Sequence, residues 1–101
     1  MNYFVIGDED TVLGFGLVGV AGAAVSGAEE AQRAFDEALK REGVGIIIMT
    51  ERVAQTIRAA VDRYVFTEEF PLIVEIADRQ GKLPGRPSLR ELVNDAIGVS
   101  I

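Results

Sequence analysis

Residues 44–50 read VGIIIMT, and the fold follows from what that stretch can become. It is apolar, too short for a stable helix and rich in β-branched side chains, which suits a strand covered on both faces. Such a strand is expected at the centre of a parallel sheet. Upstream, Ser26 and Glu29 have the spacing of a capping box. Ala28, Ala31, Phe35, Ala38 and Leu39 then recur at helical spacing until Gly43 offers a stop. On the outer face of that helix Glu29 with Arg33, Asp36 with Lys40 and Glu37 with Arg41 sit four apart, in the order that favours ion pairs. Downstream, Thr50 is placed to cap a second helix, with Val53, Ala54, Ile57, Ala60, Val61 and Tyr64 as its buried stripe.

The outer segments repeat the pattern. Asn2 to Ile6 is a short apolar strand ended by Gly7, after which Asp8, Glu9, Asp10 and Thr11 supply helix-starting residues. From Glu9 to Val18 the stripe Val12, Phe15 and Leu17 is weakly helical, and VGVAGAAV at 18–25 reads as a thin, small-residue strand. Pro71 opens PLIVEIA at 71–77, where a first-position proline and the charge of Glu75 fit an edge strand. Four strands alternating with three helices predict an α/β, Rossmann-like parallel sheet in the order 2-1-3-4.

The chain then changes character. DRQGKLPGRP at 78–87 carries two glycines, two prolines and four charges, so it continues neither helix nor sheet and reads as a semi-rigid connector. Beyond it Ser88 and Glu91 form a capping box. Leu89, Leu92, Val93, Ala96 and Ile97 fall at i, i+3, i+4, i+7 and i+8, and Gly98 closes the helix. The expected organisation is a small α/β domain over 1–77, a linker over 78–87, and a C-terminal amphipathic helix and tail over 88–101.

Composition removes much chemistry. The 101 residues hold 16 acidic against 10 basic side chains, a formal charge of -6, which repels phosphate backbones in the absence of a local basic patch. No nucleic-acid partner is expected. There is no cysteine and no histidine, which excludes disulfides, thiolate ligands and the commonest general base. No apolar run approaches the roughly 20 residues that cross a bilayer, and the expectation is a soluble, cytoplasmic chain.

Two patterns invite a ligand. Gly14, Gly16 and Gly19 spell G-x-G-x-x-G, but a dinucleotide loop needs its first glycine at the strand end. Here Asp8, Glu9 and Asp10 occupy that turn and oppose a diphosphate. The glycines read instead as small residues for close helix–sheet packing, and no cofactor is expected. Asp8 and Asp10 also suit a phosphoryl-receiver-like domain, whose carboxylates hold Mg²⁺ after the first strand. Such a site needs a third carboxylate, where this chain offers Met49, Thr50 and Glu51. Helix capping by Asp8 and Asp10 is the simpler reading, and no metal site is expected. Ser26, Ser88 and Tyr64 lack a histidine partner, so no catalytic residues are expected.

The stretches Asp8 to Val20, GIIIMTERVAQTIR at 45–58, PLIVEIADRQGKLP at 71–84 and SLRELVNDAIGVSI at 88–101 occur in an order that resembles the F subunit of the V-type and archaeal-type ATP synthases over essentially the whole chain. The resemblance implies a non-catalytic central-stalk protein bound to the D subunit, between the catalytic A/B head and the protein that links the rotor to the membrane ring. It also implies a C-terminal helix that regulates ATP hydrolysis. On that view Leu89, Arg90, Leu92, Val93, Ala96 and Ile97 contact the D subunit. Gly16 departs from the pattern, where a larger residue is expected.

Overall fold

The central strand lies where its composition places it. The computed structural model describes residues 2–68 and 70–78, and in it β3 (Val44–Thr50) is flanked by β1 (Asn2–Gly7) and β4 (Leu72–Ile76), with β2 (Ala21–Ala24) outside β1. The sheet is parallel throughout, in the order β2-β1-β3-β4, as the alternation of segments requires. Register brings Val5 beside Ile48 and Ile48 beside Val74 on one face, and Phe4, Ile47 and Ile73 together on the other.

The helices connecting these strands are α1 (Glu9–Gly16), α2 (Gly27–Lys40), α3 (Glu51–Thr56) and α4 (Arg58–Thr67). The single helix expected after β3 is two. Thr56 donates its hydroxyl to the Val53 carbonyl at 2.6 Å, an alternative to the helical ladder, and Ile57 leaves helical geometry at φ -128°, ψ 36°. Thr50 caps α3 as expected, its Oγ1 accepting from the Val53 N–H at 3.2 Å. Ser26 stands at the start of α2 without a side-chain cap bond. Instead its backbone N–H donates to Glu30 Oε1 at 3.1 Å, while Gly27 turns through φ +86°, a conformation that favours glycine.

One face of the sheet holds the core. Phe4, Ile6, Ile47 and Met49 pack with Ala31, Ala34, Phe35 and Ala38 of α2 and with Val53, Ala54, Ile57 and Val61 of the α3–α4 pair. Tyr64 meets Phe35 edge to face at 5.7 Å and donates its hydroxyl to the Pro71 carbonyl at 3.1 Å, a pairing that serves both ends of its side chain. Arg41, expected opposite Glu37, sits over the Phe4 ring at 4.7 Å. Of the three expected ion pairs on α2, Glu29 with Arg33 closes to 3.4 Å.

The other face departs from expectation. There α1 packs on β1 and β2 and buries Val5, whereas Ile46, Ile48, Val74 and Ile76 are half-buried and Leu72 is exposed. β3 is thus fully covered on one side by the described residues. Leu17, read as part of the buried stripe of α1, is 81% exposed: it follows the last helical residue, Gly16, and points away from the sheet. The linker beyond Asp78 and the expected helix over 88–98 lie outside the described residues.

Candidate functional site

In an open parallel sheet the ligand position lies beyond the carboxyl ends of the strands, where the order reverses. Here that point falls between β1 and β3. It holds a crevice of about 650 Å³ lined by Asp8, Glu9, Asp10, Thr50, Arg52 and Asp78 among others.

The polar groups at its rim are largely occupied within the fold. The Asp8 carboxylate accepts from the Thr11 N–H at 3.1 Å and from the Thr11 hydroxyl at 2.6 Å, which makes Asp8 the N-cap of α1. The Thr11 hydroxyl, followed by backbone N–H groups and partly opposed by burial, holds the Asp8 carboxyl below its ordinary value. Thr50, placed where a receiver domain needs its acceptor carboxylate, is 1% exposed and spent on capping α3. Among the described residues no group of three His, Cys, Asp or Glu side chains is arranged to hold a metal ion. The arrangement of Asp8 and Asp10 is that of a helix start.

The three glycines of the nucleotide-like pattern do not make the close helix–sheet contacts expected of them among the described residues. Gly14 lies inside α1 and Gly16 at its end, and a Cβ built on either meets nothing within 4 Å. Gly19, at φ +87°, belongs to the turn that brings the chain back to β2. The turn that follows β1 is Gly7–Asp8 instead, so the pattern does not wrap the strand end in the way a diphosphate requires.

Three ion pairs among the described residues have no counterpart in the sequence expectations. Arg52 Nε lies 2.9 Å from Asp78 Oδ2, linking the start of α3 to the residue two places beyond β4. Arg58 grips Glu75 with both terminal nitrogens, at 2.7 and 2.6 Å, and contacts Asp62 at 3.2 Å. Glu75, followed by burial and then Asp62, is the chief influence on the guanidinium, whose proton is held more tightly than usual. The edge-strand charge is therefore an anchor for α4. The legible hint was chemical: Glu75 alternates with apolar residues toward the helix-covered face, where a carboxylate requires a cation.

The residues expected to contact the D subunit, namely Leu89, Arg90, Leu92, Val93, Ala96 and Ile97, lie outside the described residues. No helix among the described residues is long and apolar enough to cross a membrane.

Comparison with known proteins places these observations. A profile of the ATP synthase (F/14-kDa) subunit matches residues 4–93. The F subunit of the A-type ATP synthase of Pyrococcus furiosus is 40% identical over 106 aligned positions, which cover 100% of this chain and 98% of the relative. That of Methanocaldococcus jannaschii is 37% identical over 102 positions, covering 100% and 99%. Among solved structures, the F subunit of the V-type ATP synthase of Archaeoglobus fulgidus superposes with a TM-score of 0.59 at 30% identity, over 75% of this chain and 96% of that one.

Proposed function

The chain belongs to the family of the ATP synthase (F/14-kDa) subunit, and from that premise we propose that it is a non-catalytic central-stalk component of a V/A-type ATP synthase. In this reading it binds the D subunit and regulates ATP hydrolysis through its C-terminal helix. It works at the cytoplasmic side, peripheral to the membrane, in the rotor between the A/B head and the ring-linking protein.

The observation that carries the reading is the stripe Leu89, Leu92, Val93, Ala96 and Ile97, set behind the connector at 78–87. A helix of about ten residues is marginal alone in water, so its apolar face needs a partner. Burying each large side chain contributes about 1.5–3 kcal/mol before ordering costs. That is enough to choose a docking surface and too little to make it permanent, which is what a regulatory element requires. The capped, ion-paired rim of the sheet supports a body that presents this segment rather than one that transforms a substrate.

Co-expression with the D subunit of the same complex is expected to give a stable 1:1 assembly, and failure to co-purify would overturn the reading. Regulation is tested on the assembled ATPase. Removing residues 88–101 is expected to change its ATP hydrolysis rate without dissociating the head.

A further inference from the structure

The described sheet ends on one side at β2, four residues long and made of alanine and glycine alone. One contact orients its hydrogen-bonding groups. The Val25 N–H donates to the Gly7 carbonyl at 2.9 Å, so Val25 faces β1. Backbone groups alternate along a strand with a period of two. Ala21 and Ala23 therefore turn their N–H and C=O groups to β1, and Gly22 and Ala24 turn theirs away from the sheet. The flanking residues keep the same alternation: the Val20 N–H donates to the Phe15 carbonyl at 3.0 Å, and the Ser26 N–H to Glu30 Oε1 at 3.1 Å. Between them the outward groups of Gly22 and Ala24 meet no partner among the described residues.

Proteins guard such an edge with charge, proline or a bulge. β2 has none of these, and its pairing with β1 runs unshifted from Phe4 with Ala21 to Gly7 with Ala24. At the other end of the order, β4 carries Glu75 and follows Pro71. Alanine and glycine are also poor strand formers, so the side chains of β2 add little to its own stability and leave its edge sterically open. Its brevity limits a guest to a short strand.

The two sides of this edge differ in chemistry. Between β2 and α2 lies a trough of about 550 Å³. Three carboxylates line it, Glu29, Glu30 and Glu37, against one cation, Arg33, which Glu29 engages at 3.4 Å. Glu37 lacks its expected partner, because Arg41 lies over the Phe4 ring. On the other side, α1 meets β2 through Val12, whose Cγ1 would lie 3.2 Å from a Cβ at Gly22. Phe15 turns from there toward Ile76. With 3.6 residues per turn, Leu13 turns to the opposite flank, on the side of the β2 edge, and is 66% exposed.

We propose that β2 receives an extended segment of a partner protein as a further strand, bonded to Gly22 and Ala24, with cationic side chains over Glu30 and Glu37 and apolar ones toward Leu13. Successive side chains of a strand stand on opposite faces, which matches a carboxylate-lined trough on one side and a leucine on the other. A second copy is the poorer occupant. Antiparallel pairing of two β2 strands sets both α2 helices on one face and brings their carboxylates together, in a chain of net charge -6. The proposal concerns the body alone and does not use the docking of residues 88–97.

The test takes the full-length chain and a blocked hexapeptide alternating lysine with valine. At millimolar peptide, hydrogen exchange of the Gly22 and Ala24 amides, followed by NMR, is expected to slow about tenfold or more. The amides of Ala21 and Ala23, already in the ladder, should not change. Ala24→Pro removes an outward N–H while sparing the ladder and should weaken peptide binding about tenfold. Glu37→Gln should weaken it less, through a contribution that added salt also removes. The same peptide, N-methylated along its pairing edge, keeps its charge and cannot pair. Equal binding of the methylated peptide would reduce the effect to charge attraction and overturn the proposal, as would unchanged exchange with the unmethylated one. Slow exchange at Gly22 and Ala24 before peptide is added would show that the chain fills its own edge. Sedimentation of a dimer that Ala24→Pro dissociates would assign the edge to a second copy. Either result overturns the proposal. Should Ala24→Pro not fold, the exchange pattern and the methylated peptide decide.

Discussion

Arg58, at the start of α4, and Glu75, on edge strand β4, face each other as a two-pronged ion pair, with Nη1 2.7 Å from Oε2 and Nη2 2.6 Å from Oε1. Each side chain is 20% exposed. The pair ties the last strand to the helix that precedes it, beside the Tyr64 hydroxyl bond to Pro71.

Loss of this pair is expected to loosen the β4 edge. A fully buried pair broken on one side costs about 3–5 kcal/mol, and partial exposure reduces that to about 1–2 kcal/mol here. Glu75→Gln should therefore lower the melting temperature by several degrees, since each kcal/mol shifts it by about 4–8 °C in a domain of this size. A double-mutant cycle with Arg58→Gln should return a favourable coupling. Additive effects would show that the two side chains act separately.

Asp8 supplies a pH dependence whose sign is fixed. Its carboxyl is held below its ordinary value in the folded state, first by the Thr11 hydroxyl, so the folded state binds this proton less readily than the unfolded chain does. The stabilisation is present above the unfolded value, about 3.9, and is lost as pH falls through the folded one. Asp8→Ala removes the N-cap and should cost about 1 kcal/mol at neutral pH. It should also flatten the acid limb of a stability–pH curve measured by denaturant titration. An unchanged acid limb would mean that another carboxylate carries it.

The glycines are expected to divide into two kinds. A Cβ at Gly22 would lie 2.3 Å from Val5 Cγ1 and 2.6 Å from the Val5 carbonyl oxygen. Gly22→Ala must therefore displace a strand or α1, at a cost of about 1–3 kcal/mol. Gly14 lies inside α1 with open space around it, so Gly14→Ala should stabilise by about 0.5–1 kcal/mol through helix propensity. Thermal melts of the two variants should move in opposite directions. A destabilising Gly14→Ala would show a close contact that the described residues do not make.

The tail can be tested apart from the body. Leu92→Asp or Val93→Asp should weaken association with the D subunit by roughly tenfold or more, because each buried side chain is worth about 1.5–3 kcal/mol and tenfold corresponds to about 1.4. The cooperative melt of the α/β body should stay in place. A matching fall in melting temperature would put these residues in the body's own core instead.

Periodicity and punctuation carried most of the fold into view. VGIIIMT could be little other than a central strand, and the turn residues around Gly7, Gly43 and Pro71 set the alternation from which the strand order follows. What escaped was decided by interactions that have no period. The break at Ile57 depends on one hydroxyl of Thr56 reaching back to Val53, and a stripe that continues through Ala60 and Val61 conceals it. The exposure of Leu17 depends on α1 stopping at Gly16. At the rim, Asp8 was legible as a cap because its partner stands three residues away. Asp78 was not, because a single sequence does not show that Arg52, 26 residues upstream, is beside it in space.

The short reach of α1 has a consequence for handling. Ile46, Ile48, Leu72, Val74 and Ile76 form an apolar row that no described element seals, and it runs onto β4, the last strand in the order of the described sheet. Colloidal stability of the bare body then depends on mutual repulsion from its acidic excess, which weakens as salt shortens the screening length to about 8 Å. Substitutions along this row will register first as changes in solubility and only afterwards as changes in melting.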